Sequence, residues 1–226
     1  MLRRRKKNTY LAGLVQVVTP QTTIIAFDLH NVVFKKQTRK IVMQGIRLLP
    51  QGTWRYTFSP RLWYRFYKIR SQSDVAEDIF QKMSLEYPGL ARFRGDFIRL
   101  TNSQRPIPAV MNMIKGLKER GFSLYILSNI GQDTFQELSE VFPELQEYFN
   151  GAYTATAVNN YVHKPHPEFY EGFKQFVNND GHEGKQIVFI DDLKKNLSAA
   201  ARCNISGIHF TSPKKLQRIL QNLDML

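Results

Sequence analysis

Four places in this sequence set reactive side chains beside short apolar runs. Asp28, Leu29, His30, Asn31 and Val32 follow the run Thr23-Ile-Ile-Ala-Phe27, and Ser128 and Asn129 follow Phe122-Ser-Leu-Tyr-Ile-Leu127. Asp191, Asp192 and then Asn196 follow Gln186-Ile-Val-Phe-Ile190, while Lys164 stands between the last two runs in Val162-His-Lys-Pro165. Carboxylates, a hydroxyl and a lysine gathered at one place are a set suited to phosphoryl transfer. An aspartate can attack phosphorus, a hydroxyl and an ammonium group can hold phosphate oxygens, and further carboxylates can hold Mg²⁺.

Such a gathering needs elements that end together. The three runs are apolar on both faces, the pattern of strands in a parallel sheet covered by helices on each side, and Ile205-Ser-Gly-Ile-His-Phe210 is a weaker fourth run. Amphipathic stretches lie between and after them. In 108–120, Val110, Met113, Ile114 and Leu117 fall at three- and four-residue spacing before Gly121, and 193–203 and 214–223 have the same character. Alternating strands and helices predict an α/β fold built on a Rossmann-like parallel sheet, and such sheets bind ligands at the carboxyl ends of their strands.

Residues 37–105 break this alternation. Trp54, Tyr56, Phe58, Trp63, Tyr64, Phe66 and Tyr67 crowd fourteen positions, and 73–83 has the look of an amphipathic helix with Ser73 as N-cap and Asp74 and Glu77 in its first turn. The expectation is a basic N-terminal extension (1–20), an α/β core (21–36 and 106–226) and a mostly helical cap inserted after the first strand (37–105). The aromatic stretch is expected to form the cap's own core or its contact with the α/β core rather than a base-stacking platform.

The order of these elements resembles the haloacid dehalogenase-like (HAD) superfamily from Ile24 to about Pro213. It is most similar to the branch with a helical cap between the first and second motifs. Phe27-Asp-Leu-His-Asn-Val32 resembles the first motif, Leu127-Ser-Asn-Ile130 the second, Lys164-Pro-His-Pro167 the third, and the Asp191-Asp192 pair with later Asn196 and Ala199-Ala200 the fourth. Any one is weak; four in order are specific. The resemblance implies Asp28 as the nucleophile that forms an aspartyl-phosphate, and Ser128, Asn129 and Lys164 as substrate-binding residues. It further implies Mg²⁺ held by Asp28, the backbone carbonyl of His30, and the Asp191/Asp192 pair, with Asp192 the direct ligand and Asp191 direct or through water.

One position departs from the pattern. Phosphatases of the superfamily carry a second Asp two residues after the nucleophile, as general acid and base; here His30 stands there. An imidazole titrates near neutral pH and can do that proton work, although its ring is larger and repels a cation when protonated. Two readings follow: a Mg²⁺-dependent phosphatase acting on a small phosphorylated substrate, or a catalytically weak relative whose basic cap binds nucleic acid, an acidic partner or a membrane surface.

Composition bears on both. The 226 residues carry 32 Lys and Arg against 19 Asp and Glu, a net charge of +13. Between Lys35 and Arg105 there are 15 basic and 5 acidic residues, and Arg3, Arg4, Arg5, Lys6 and Lys7 add a basic head. That bias suits an anionic ligand or surface. Cys203 alone excludes an intramolecular disulfide framework and a multi-cysteine zinc site, and points to a cytoplasmic setting. His163 and His166 with no cysteine nearby are a weak zinc signal. No phosphate-binding GxxxxGK[ST] loop or dinucleotide GxGxxG fingerprint occurs. Leu11 to Val18 is too short and too broken by Gln16 to read as a signal core, and no transmembrane segment is expected.

Overall fold

The computed structural model describes residues 17–36, 60–70, 75–95 and 104–226. In chain order the elements are β1 (Thr23–Phe27), β2 (Phe34–Lys36), α1 (Pro60–Arg70), α2 (Ala76–Glu86), β3 (Gln104–Pro106), α3 (Pro108–Glu119), β4 (Ser123–Gly131), α4 (Gln132–Val141), α5 (Glu144–Tyr148), β5 (Gly151–Ala155), α6 (Pro167–Val177), β6 (Gln186–Asp191), α7 (Lys194–Arg202), β7 (Ser206–His209) and α8 (Pro213–Asn222). Five parallel strands form one sheet in the order β5-β4-β1-β6-β7. This is the Rossmann-like α/β core that the apolar runs predict.

Alternation along the strands divides the core into two layers. Ile25, Phe27, Leu124, Ile126, Val188 and Ile190 pack on one face beneath α3 and α8. Ile24, Ala26, Tyr125, Leu127, Ile187 and Phe189 pack on the other beneath α6 and α7. All five residues of β1 are buried, as the central strand of a doubly covered sheet requires. Gly121, at φ +86°, ends α3 and turns the chain into β4.

Two features escape the sequence patterns. β2 and β3 pair antiparallel as a three-residue ribbon, and β5 forms a sheet edge. Between β2 and β3 in the chain, α1 and α2 share a small core of Ile69, Ile79 and Met83. Helix α2 begins at Ala76 behind the N-cap Val75, which makes no side-chain cap bond, so its cap stands two residues later and its end three residues later than in the expected 73–83. Ser73 and Asp74, the expected cap and first-turn acid, lie outside the described residues, as do Trp54, Tyr56, Phe58 and the Trp63 side chain. Of the aromatic stretch expected to pack as core, Tyr64, Phe66 and Tyr67 are exposed. Among the described side chains, α1 contributes Ile69 to the core it shares with α2, and Tyr64, Phe66 and Tyr67 lie outside that core.

Candidate active site

Strand register explains why distant residues meet. Phe27 pairs with Ile126 on one side and with Ile190 on the other, so the residues that follow, Asp28, Leu127 and Asp191, stand level at the carboxyl edge. The Asp28 N–H still donates to the Ile190 carbonyl at 2.8 Å, which extends the pairing one residue past β1. Ser128 lies one residue further along β4.

Lys164 enters from the loop between β5 and α6 and is only 2% exposed. Its Nζ donates to Asp28 Oδ1 (2.8 Å), Asp191 Oδ2 (2.8 Å) and the Leu127 carbonyl (2.9 Å), which uses all three protons. The Phe189 ring lies 4.9 Å from the same nitrogen. Burial by itself would push the ammonium down, but the Asp191 and Asp28 charges overcome it and hold Lys164 above the usual lysine value. Asn129 fixes the loop that delivers it: the Asn129 Oδ1 accepts from the Lys164 N–H (2.7 Å) and its Nδ2 donates to the Lys164 carbonyl (2.9 Å). The geometry thus makes Asn129 a clamp on the Lys164 backbone.

Asp191 is fully buried and heavily subscribed. Besides Lys164, it accepts from the Leu193 N–H at 2.7 Å and from Asn196 Nδ2 at both oxygens. Asp192 is half-buried, with Oδ2 accepting from Asn31 Nδ2 at 3.2 Å, and its carbonyl accepts from His209 Nε2 at 3.0 Å. Asn31 sits in the left-handed region at φ 63°. Asn196, part of the fourth motif, orients Asp191, while Asn31 and His209, to which the sequence pattern assigns no role, orient Asp192.

His30 lies half-buried in the tight loop after β1, its backbone bridged to Phe34. The Val33 and Phe34 N–H groups both return to the Leu29 carbonyl, which curls this loop over the strand end.

The electrostatics are unbalanced in one direction. Oxygens of Asp28, Asp191 and Asp192 lie within 4.8 Å of one another. Burial pushes the Asp28 carboxyl up to about 6 against the pull of Lys164, and the charges of Asp191 and Asp192 add to the rise. Burial and the Asp191 charge raise Asp192 as well. Three carboxylates against one ammonium leave two negative charges in a confined space, which a divalent cation would neutralise. All the donors are hard oxygens, the ligand type of Mg²⁺. Ser128 Oγ is buried beside them and has no hydrogen-bond partner, an orphan that a ligand oxygen would satisfy. The residues present therefore fit a Mg²⁺ ion with an oxyanion.

The remaining candidates fall elsewhere. His163 Nδ1 is engaged with the Tyr161 carbonyl and the His166 ring packs edge-on against it, whereas the aspartate trio is the one three-ligand grouping among the described residues. Cys203 is buried at the end of α7.

Helix α2 and Arg94 reach this edge as well. From α2, Glu77 Oε1 accepts from both the N–H and the Oγ of Thr134, capping α4 directly after β4. Gln81 accepts from the Tyr161 hydroxyl at 2.8 Å, and Arg94 pairs with Asp133. Gly131 gives the Glu77 carboxylate room, since a Cβ at 131 would collide with it.

Comparison with known proteins agrees with the fold. The haloacid dehalogenase-like hydrolase family model matches residues 35–210, a span that begins seven residues after Asp28. A sesquiterpene phosphatase (astK) of Aspergillus oryzae is 26% identical over 187 residues, covering 82% of this chain and 88% of that protein. Among solved structures, a HAD family enzyme of Bacteroides thetaiotaomicron superposes with a TM-score of 0.61 at 18% identity, covering 88% of this chain and 98% of the other. The same enzyme in complex with magnesium and inorganic phosphate gives 0.56 at 17% identity, over 84% and 94% of the two chains. The L-2-haloacid dehalogenase of Xanthobacter autotrophicus gives 0.57 at 18% identity, over 89% and 82%. Among the described residues no helix is long and apolar enough to cross a membrane.

Proposed function

Because this chain belongs to the haloacid dehalogenase-like hydrolase family, we propose that it is a Mg²⁺-dependent phosphatase that hydrolyses a small phosphate monoester through an aspartyl-phosphate on Asp28. The observation that carries the reading is the buried Lys164 Nζ held between Asp28 and Asp191 at 2.8 Å each, with Asp192 alongside and Ser128 Oγ unpartnered. The sesquiterpene phosphatase among the relatives supports an ester of a small, apolar alcohol.

Lys164 fixes Asp28 Oδ1 and so aims the other carboxylate oxygen at the phosphorus. That oxygen forms the new P–O bond as the bond to the alcohol breaks, and the departing alkoxide takes a proton from His30. Water then attacks the phosphorus of the acyl phosphate and gives its proton to His30, which restores Asp28 and releases phosphate. Ser128 Oγ holds a non-bridging oxygen through both halves, and the Lys164 ammonium, already bound to Asp28, Asp191 and the Leu127 carbonyl, offsets the negative charge beside it. Asp28, Asp192 and the carbonyl of His30 would hold the metal, with Asp191 direct or through water. When bound, Mg²⁺ neutralises phosphoryl charge and lets the carboxylate approach it. Asn129, Asn196 and Asn31 keep Lys164, Asp191 and Asp192 in place.

The test is a panel of phosphomonoesters with Mg²⁺, comparing the wild type with Asp28→Asn. Turnover abolished by that change is the expected result. Activity at background in both proteins, together with salt-sensitive nucleic-acid binding, would replace this reading with the catalytically weak, basic-cap alternative.

A further inference from the structure

Helix α1 contains four basic and no acidic residues in eleven positions. Among its described side chains, Ile69 is the one buried in the α1–α2 core. Arg61, Tyr64 and Lys68 follow one another at spacings of three and four, and Tyr67 stands three residues after Tyr64, so they share a face. Tyr64 is 66% exposed and Tyr67 73%, and Leu85, at the end of the packed helix α2, is 77% exposed. Glu86, next to Leu85, binds Arg65 through two bonds, and the charges of Arg61 and Lys68 also bear on it. Three cations of α1 thus bear on the Glu86 carboxylate, and the helix carries no acid of its own.

We propose that this face of α1 docks on an anionic lipid bilayer. Two exposed tyrosines flanked by Arg and Lys match the chemistry of the membrane interface. There the rings enter the acyl boundary, the phenol groups stay among headgroups, and the long cationic stems reach lipid phosphates. In sequence the charge bias continues outside the helix: residues 35–59 and 71–105 together carry six more positive than negative charges, and Arg3 to Lys7 supply five more. Shape separates this partner from nucleic acid. Single-stranded nucleic acid is held in a groove that tracks its backbone. The two tyrosines instead stand on one convex helix, and the groove beside α2 is lined by a different set, including Phe80, Ser84 and Tyr161. The surface is independent of the phosphatase chemistry, so either proposal can fail without the other.

The experiment is co-sedimentation of the full chain with phosphatidylcholine vesicles, with and without phosphatidylserine, at two salt concentrations. The wild type is expected to pellet with the phosphatidylserine vesicles and to be released by salt. Each cation near such a surface contributes about fivefold in partitioning, so Arg61→Gln with Lys68→Gln should weaken it roughly 30-fold. Tyr64→Ser with Tyr67→Ser should weaken it while leaving its salt dependence unchanged. Both pairs are exposed, and an unchanged melting temperature identifies them as folded. No pelleting with phosphatidylserine vesicles, or wild-type partitioning by both double variants, overturns the proposal. Tighter, tyrosine-dependent retention on single-stranded RNA than on vesicles also overturns it, in favour of a nucleic-acid surface.

Discussion

Replacing Lys164 by Met keeps much of the aliphatic volume and removes the charge at the centre of the carboxyl edge. In the wild type, Nζ satisfies Asp28, Asp191 and the Leu127 carbonyl at once, inside a site where the lysine is 2% exposed and Asp191 is 0% exposed. Without it, two carboxylates face each other in a desolvated space and a backbone carbonyl loses its donor. Removing one partner of a buried ion pair costs about 3–5 kcal/mol, a large share of the ~5–15 kcal/mol that holds a typical domain together. Urea unfolding in EDTA at pH 7, followed by far-UV circular dichroism, should show a loss in that range. At pH 5 the loss should be smaller, because Asp28, already pushed up to about 6 by burial, carries a proton there and no longer needs a counter-charge. Saturating Mg²⁺ should also reduce it by supplying the missing positive charge. A loss below about 1 kcal/mol at pH 7, or one independent of pH, would show that the ammonium is not the counter-charge described here.

Three further outcomes are expected. The folded chain holds a proton on Asp28 between its ordinary value of 3.8 and about 6, where the unfolded chain has already released it. Metal-free stability should therefore fall as pH rises through that window, by about 3 kcal/mol in all; thermal melts in EDTA should show Asp28→Asn gaining on the wild type from pH 4 to pH 7, and a constant gap would contradict this. Gly131→Ala should cost about 1 kcal/mol by displacing Glu77 from Thr134. In a Glu77→Ala background the same change should instead stabilise by about 0.4–1 kcal/mol, because φ −74° at 131 suits alanine; equal effects in the two backgrounds would mean that the carboxylate does not occupy that space. His30→Ala should lower turnover about 10²–10⁴-fold and leave inorganic phosphate binding intact, whereas unchanged turnover would remove histidine from the proton chemistry.

The sequence alone determined the sheet and the order of its functional groups. Thr23-Ile-Ile-Ala-Phe27 is apolar at every position but its first, and such a run is stable only between two helical layers; a residue that directly follows it must emerge at the ligand-binding edge. What the pattern lacks is anything local to a three-residue ribbon such as Phe34–Lys36 with Gln104–Pro106, where no hydrophobic period has room to repeat. The exposure of Tyr64 and Tyr67 was likewise illegible, since helical spacing says which residues share a face and not which face is covered. Tertiary structure decided the rest. Register brings Asp28 and Asp191 level, and Asn129 grips the backbone of Lys164 across 35 residues. Glu77 caps α4 across 57 residues. The raised carboxyl of Asp28 has the same origin, because desolvation and the fields of remote charges belong to the folded environment and to no residue in the chain taken singly.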